Sequence, residues 1–113
     1  MQEIKAGCSP RVSIQGADFE LAQEVARLRD GDARVGAVCA FVGTVRDRHA
    51  GAAAGSVSAV ELEHYPGMTE QAIEAMIDEA HRRFDIIAAR VVHRVGLLQP
   101  LEQIVLVAVT SMN

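Results

Sequence analysis

The stretch GTVRDRH, residues 43–49, groups side chains that could bind an anion. It places Arg46, Arg48 and His49 after an apolar segment and in front of a run rich in Gly and Ala. Guanidinium groups give forked, charge-assisted hydrogen bonds that suit phosphate oxygens. The pattern therefore indicates a possible anion site at a strand end, although composition alone favours the simpler interpretation that Arg46 and Arg48 are solvated loop charges.

Histidines and cysteines are weaker candidates for chemistry. His93 lies in an alternating segment with no adjacent nucleophile, which favours a structural role over acid or base catalysis. His64 precedes a Tyr-Pro-Gly turn and is expected to hold it. Cys39 lies in an apolar run, so we expect it to be buried, protonated and inert. Cys8 is far from Cys39 and no CxxC is present, so neither a disulfide framework nor a metal site is indicated, and the role of Cys8 stays open.

Length and charge limit the classes of function. A chain of 113 residues predicts one domain, and its net charge of −4 argues against a general electrostatic affinity for nucleic acid or an anionic membrane. No stretch approaches the roughly 20 apolar residues of a membrane helix, and residues 1–10 lack a signal-peptide core. We therefore expect a reduced, cytoplasmic protein.

Hydrophobic periodicity predicts the elements that would position these groups. The order is β-α-β-β-α-β-β, an α+β fold with a mixed or antiparallel sheet and two helices packed on it. Strands are predicted at residues 11–15, 37–45, 57–64, 89–96 and 103–110, and helices at residues 19–29 and from an N-cap at Thr69 to residue 84. The first strand is expected at a sheet edge, and the apolar 37–45 segment is expected as a central strand covered on both faces.

The second helix carries the clearest apolar stripe. We expect that stripe in the core and two i,i+4 ion pairs, Asp78–Arg82 and Glu79–Arg83, on the opposite face. The predicted core residues are Ile73, Met76, Ile77, Ala80 and Phe84, with Met68 in front of them.

Two segments are expected to be exposed. Residues 46–56 contain charged residues followed by Gly and Ala, which predicts a mobile surface loop. The last strand is apolar from residue 104 to residue 109, and Ile104, Leu106 and Val109 would leave an apolar patch if nothing covered them. Pairing of that strand with another chain through its edge is a further expectation.

Four motifs resemble one known family. AFVGTVRD (40–47), LEHYPGMTEQAIEAMIDEA (62–80), VVHRVG (91–96) and IVLVAVTS (104–111) are similar, in this order, to the large, catalytic subunit of molybdopterin synthase. A generic anion-binding domain would not explain EHYPGM and AFVGTVRD together. The resemblance implies an α/β-hammerhead-like domain.

This resemblance implies a transferase of molybdenum cofactor biosynthesis. Such an enzyme converts cyclic pyranopterin monophosphate into molybdopterin by installing two sulfurs as a dithiolene. Sulfur comes from a ubiquitin-like small subunit with a C-terminal Gly-Gly thiocarboxylate. The family's large subunit forms a homodimer with one small subunit at each outer end, giving a heterotetramer, and no cofactor is implied.

The resemblance also assigns residues. The family's substrate-contacting strand end corresponds to Thr44, Val45 and Arg46, with Arg48 and His49 as further anion contacts. Thr44 stands where the family often has lysine. Asn113 stands where a substrate-binding histidine is common. Leu101 replaces a frequent glycine.

No catalytic residue is expected within residues 1–113, because the family's catalytic lysines lie on a helix and closing segment that follow the Thr-Ser motif. The resemblance covers roughly the first three quarters of the family domain. We expect these residues to be part of a longer enzyme, which an intact mass above 12.1 kDa would support. The alternative is a non-catalytic relative that dimerises and docks the small subunit.

Overall fold

The computed structural model describes residues 10–47 and 59–113. Helices and strands follow the predicted order in an α+β fold, with one more strand than expected. The strand predicted at 89–96 ends at Arg94, and Gly96, at φ +99°, begins another. The elements are β1 Val12–Gln15, α1 Leu21–Leu28, β2 Ala37–Thr44, β3 Val60–Leu62, α2 Met68–Arg83, β4 Ala88–Arg94, β5 Gly96–Leu98 and β6 Gln103–Ser111.

The main sheet has four strands in the order β1-β4-β6-β2. Strand β1 runs parallel to β4, and the other neighbours are antiparallel. The prediction that the first strand lies at an edge is confirmed. The central position predicted for 37–45 is wrong, because β2 forms the opposite edge and Phe41 is 63% exposed. An apolar run cannot by itself distinguish a central strand from an edge strand.

Strand β6 lies between β4 and β2, so both of its edges are paired within the chain. Edge pairing through the last strand is therefore excluded for this arrangement of residues 10–47 and 59–113. The predicted patch is also wrong, since Leu106 is fully buried while Ile104 and Val109 are half-buried. Alternate residues of β6 face opposite sides of the sheet, and each side carries a helix.

Two apolar clusters form the core, one on each face of the main sheet. Helix α1 covers one face and helix α2 covers the other. Burying a large aliphatic side chain fully contributes about 1.5–3 kcal/mol, so these two layers hold the sheet in place. The α1 cluster contains Phe19, Val92, Leu106 and Ala108, and the α2 cluster contains Val12, Ile14, Ile73, Ile77, Ala89 and Val91.

A second, two-stranded sheet is formed by β3 and β5, with Val60 opposite Leu98 and Leu62 opposite Gly96. The strand predicted at 57–64 therefore belongs to neither edge of the main sheet. Most of the predicted 46–56 loop lies outside the described residues, as do Arg48 and His49.

The N-cap of helix α2 lies two residues before the predicted one, Thr69. Gly67 is the N-cap at φ +84°, a conformation that favours glycine, and its amide donates to Glu70 Oε1 at 2.9 Å. Met68, Met76 and Phe84 are wrongly predicted as core, because each is more than half exposed. The helix packs on the β1 side of the sheet through Ile73 and Ile77, which leaves its other apolar side chains at the margin.

The two predicted i,i+4 ion pairs of α2 are also replaced. Asp78 Oδ1 accepts from Arg11 at 2.9 Å, which connects the helix to the residue in front of β1. Glu79 pairs with Arg82 one turn along the helix. Long-range pairing with Arg11 thus competes with the local pair that helical spacing suggests.

Helix α1 begins at Leu21, two residues after the predicted start. Phe19 precedes the helix and is 5% exposed, so it is a core residue outside the helix. Asp18 Oδ1 accepts from the Phe19 amide at 2.8 Å and from Gln103 Nε2 at 2.8 Å. These bonds fix the entry of α1 against the start of β6.

Candidate functional site

The end of β2 is where the sequence places the candidate site, and it contains an irregularity. Gly43 lies opposite Val105, whereas Thr44 lies opposite Gln103, so Ile104 has no partner on β2. Such a bulge bends the strand and changes the direction of the following side chains. Thr44 and Arg46 are exposed at this point.

Val45 anchors this strand end and does not offer a side chain to a ligand. It is 2% exposed. Its amide donates to the carbonyl oxygen of Glu102 at 2.8 Å, and its own carbonyl accepts from the Leu101 amide at 2.9 Å. Of the three residues assigned to the strand end, Thr44 and Arg46 are therefore those whose side chains can reach a bound molecule.

The segment that holds Val45 is a tight turn at residues 99–102, here called the 99–102 turn. The Glu102 amide donates to the Gln99 carbonyl at 3.1 Å, and Glu102 Oε2 accepts from the Gln99 amide at 2.8 Å. Leu101 has φ +79° in this turn, the one positive φ among non-glycine residues of the described chain. A glycine, which the resemblance suggests at this position, would adopt that φ without strain.

Arg94, the last residue of β4, is buried beside this turn with 7% of its surface exposed. Its Nη1 donates to the Gln103 carbonyl at 3.0 Å and lies 3.3 Å from Glu102 Oε1. Its Nε and Nη2 donate to the Gly16 carbonyl at 3.1 and 3.0 Å. One guanidinium thus joins the end of β1 to the start of β6.

Arg46 follows Val45 and is exposed, with no ion-pair partner in residues 10–47 and 59–113. A guanidinium group held at a fixed strand end can offer two parallel donors to an anion. The expected further contacts from Arg48 and His49 remain predictions, because both residues lie outside the described parts of the chain.

Within one chain, the structure does not bring Asn113 to this strand end. Ser111 lies opposite Ala37 at the beginning of β2, whereas Thr44 at its end lies opposite Gln103. Seven residues of antiparallel strand span roughly 24 Å. Asn113 and Arg46 are therefore at opposite ends of β2.

The EHYPGM motif forms the N-terminal cap of α2. His64 Nε2 lies 3.0 Å from Glu70 Oε2, and the other oxygen of Glu70 accepts from the Gly67 amide. The Glu70 backbone amide, followed by His64 and the Gly67 amide, lowers the pKa of the Glu70 carboxyl below its ordinary value. The prediction that His64 holds this turn is confirmed. The Tyr65 hydroxyl donates to Glu63, which raises the pKa of Tyr65.

His93 and Cys39 differ in how they match expectation. The His93 ring is half-buried, with Nδ1 2.8 Å from the Arg94 carbonyl, which agrees with a structural role. Cys39 is exposed on edge strand β2, so its predicted burial is wrong. The reason is the edge position of β2, which the apolar composition of residues 37–45 did not reveal.

Another charged cluster lies beside α1. Glu24, 9% exposed, accepts from Arg90 Nε at 2.9 Å and lies 3.5 Å from Arg27 Nη1. A cleft of about 660 Å³ adjoins it and is also lined by Arg11 and His81. The cleft does not include Thr44 or Arg46, so it is separate from the strand end.

Sequence reasoning missed Arg94 and Glu102. A signal was present, because Arg94 occupies a position in an apolar alternating strand where its side chain must face the interior. A buried arginine needs carbonyl or carboxylate partners, and Glu102 follows eight residues later. The pairing depends on the turn between β5 and β6, which the strand pattern alone did not define.

A family model described as "MoaE protein" matches residues 14–113. The chain belongs to the MoaE family. This MoaE chain is 54% identical over 102 residues to a molybdopterin synthase catalytic subunit from Ralstonia nicotianae, covering 90% of this chain and 56% of that protein.

Solved structures agree with the MoaE assignment. A molybdopterin biosynthesis MoaE protein from Burkholderia ambifaria is 50% identical with a TM-score of 0.80, over 91% of this chain and 65% of that one. Molybdopterin synthase from Staphylococcus aureus is 26% identical with a TM-score of 0.76, over 94% of this chain and 73% of that one. The chain thus spans 56% and 65% of the Ralstonia and Burkholderia relatives, less than the roughly three quarters that the resemblance implied.

Two further observations concern only the described part of the chain. Neither helix there has the length and apolar character needed to cross a bilayer. Residues 10–47 and 59–113 also contain no cluster of three or more His, Cys, Asp or Glu side chains arranged to hold a metal ion.

Proposed function

We propose that this chain is part of the catalytic subunit of a molybdopterin synthase, which converts cyclic pyranopterin monophosphate into molybdopterin. The observation that carries the proposal is the 54% identity, over 90% of this chain, to a protein named as that subunit. The chain spans 56% of that relative, so the activity of the whole relative is a proposal for this chain.

The role proposed for this part of the enzyme is to bind the precursor. Arg46 is an exposed guanidinium next to a fully anchored residue, and the precursor carries a phosphate. A forked pair of charged hydrogen bonds to phosphate oxygens suits that geometry. Thr44 adds a hydroxyl beside it where relatives often have lysine. Arg48, His49 and Asn113 are proposed as further contacts. Asn113 lies at the opposite end of β2 from Arg46, so an Asn113 contact to the same precursor would have to come from another copy of the chain.

The proposed sulfur donor is a ubiquitin-like small subunit with a C-terminal Gly-Gly thiocarboxylate. The proposed assembly is a homodimer of the large subunit with one small subunit at each outer end. The printed sequence contains a single lysine, Lys5, which precedes the described residues. We therefore assign precursor binding, and no catalytic amine, to residues 10–113.

Calorimetric titration with cyclic pyranopterin monophosphate tests the binding role. Arg46→Ala should weaken affinity by about 1–3 kcal/mol, the scale for removing a charged hydrogen-bond partner. Arg29→Ala is the control, since Arg29 is an equally charged and exposed residue at the C-terminal end of α1. Unchanged affinity in Arg46→Ala would remove the strand end from the proposal.

The synthase activity is tested on the complete subunit that contains this chain, by adding precursor and thiocarboxylated small subunit and measuring the dithiolene product. Product formation by the unmodified protein that decreases in Arg46→Ala supports the proposed synthase activity. Binding of the small subunit with neither precursor binding nor product would instead identify a docking module and contradict the catalytic proposal.

A further inference from the structure

Arg94 is connected to Arg46 through Glu102 and Val45. Its guanidinium lies against the Glu102 carboxylate and donates to the adjacent Gln103 carbonyl. The backbone carbonyl of Glu102 in turn accepts from the Val45 amide, and Arg46 directly follows Val45 in the chain. An unbroken series of short contacts therefore runs from the buried guanidinium to the backbone of the exposed one.

The geometry points to Arg94 as a positioning residue that fixes Arg46 for anion binding, an inference that rests on the function proposed above. Arg94 donates to two carbonyl oxygens in different parts of the fold, that of Gly16 just after β1 and that of Gln103 at the start of β6. A planar guanidinium can satisfy both at once, whereas the ammonium of a lysine cannot reproduce that fork. Arg94 thereby sets the position of the 99–102 turn relative to β1.

The 99–102 turn passes this position on to the strand end. Two backbone hydrogen bonds join it to Val45. The Leu101 amide donates to the Val45 carbonyl at 2.9 Å, and the Val45 amide donates to the Glu102 carbonyl at 2.8 Å. The regular ladder of β2 and β6 is broken just before this point, where Ile104 has no partner. Because of that break, the pairing of β2 with β6 does not by itself fix the position of Arg46. The two hydrogen bonds between Val45 and the 99–102 turn fix it.

Burial separates the two arginines by role. Arg94 is 7% exposed, and four of its hydrogen bonds go to Gly16, Glu102 and Gln103, so its guanidinium is committed to the fold and not to a bound precursor. Arg46 is exposed beyond an anchored neighbour. A shift of about 1 Å in a positioned group can cost up to a hundredfold in a reaction.

The decisive experiment is a double-mutant cycle on precursor binding by the full chain. Arg94→Lys should weaken affinity about tenfold, whereas in an Arg46→Ala background it should have little further effect. A merely structural role would make the two losses additive, which would overturn the inference. Arg90→Lys is the matched control: the same change on the same strand, at a residue paired with Glu24, should leave affinity unchanged.

A second variant keeps the test informative if Arg94→Lys does not fold. Glu102→Gln removes the charge that Arg94 faces and leaves the Glu102 carbonyl in place, so affinity should fall in the same direction. Wild-type affinity in this variant would contradict the inference.

Hydrogen exchange separates this inference from the proposed function. The Val45 amide should exchange faster in Arg94→Lys than in Arg90→Lys, whether or not precursor binds. If the unmodified chain does not bind precursor, the proposed function fails. Unchanged Val45 exchange would overturn the positioning role by itself.

Discussion

Arg90 Nε donates to Glu24 Oε1 at 2.9 Å, and the side chains of these two residues are only 15% and 11% exposed. The contact joins β4 to α1 across 66 residues of sequence. Breaking such a pair leaves a charge in a poorly solvated place. The ion pair therefore holds the helix that covers one face of the main sheet.

Glu24→Ala should destabilise the protein by about 3 kcal/mol, near the lower end of the range for removing one partner of a buried pair. Urea unfolding measures the loss. Glu20→Ala is the control, because Glu20 is exposed and makes no side-chain capping bond, so it should change stability by less than about 0.5 kcal/mol. A loss as small as that of the control would show that the pair contributes nothing.

Leu101→Gly should stabilise the protein by about 1 kcal/mol. A left-handed φ costs a non-glycine residue about 1–2 kcal/mol, and the larger unfolded-state entropy of glycine offsets about 0.5–1 kcal/mol of the gain. Leu101 is 89% exposed, so little packing is lost. Differential scanning calorimetry should show a higher Tm.

Leu97→Gly is the matched comparison for Leu101→Gly, since Leu97 is also exposed but has no positive φ and lies in β5. It should lower stability. If both substitutions lower the Tm, the strain attributed to Leu101 is absent.

Local pattern was enough to predict much of the fold. Alternation and helical spacing located β1, α1, α2 and β6 to within two residues, because each has a face whose apolar spacing is set by its own geometry. The position of β2 at an edge depends on which strands pair, and the exposure of Met76 and Phe84 depends on which strands α2 covers. That choice is made by tertiary packing between distant segments, which spacing does not encode.

For the candidate site, the chemistry was easier to predict than the support. An arginine at a strand end is visible in the residue types of 43–49. The turn that anchors it is not, because Leu101 gives no sign of a positive φ and Arg94 contacts Gly16 across 78 residues. The family resemblance offered the one hint, a glycine expected where Leu101 stands.

Glu70 should make the protein less stable in acid. Its pKa is lowered in the folded state, first by its own backbone amide and then by His64, so its contribution is present above its ordinary value of 4.5. That contribution is lost as the pH falls through the lower, folded-state pKa.

In Glu70→Gln, the unfolding free energy should therefore fall less as the pH is lowered below 4.5 than in the unmodified protein. Urea unfolding at several pH values gives this slope. Glu61→Gln, on the exposed face of β3, serves as the comparison and should keep the original slope. An unchanged slope in Glu70→Gln would mean that the cap does not favour the carboxylate.

Gly36→Ala should destabilise the protein, because a Cβ at Gly36 would lie 1.9 Å from the carbonyl oxygen of Met112. The Gly36 amide also donates to the Ser111 carbonyl at 2.8 Å, so backbone must move to relieve the clash. Overpacking of this kind costs about 1–3 kcal/mol. In Gly16→Ala the new Cβ would meet its nearest atom at 3.9 Å, an ordinary contact, and stability should hardly change. Equal urea midpoints for the two variants would show that residues 111–112, at the end of β6, are not held against Gly36. The pairing of Ala37 with Ser111 would then be weak at this end of the sheet.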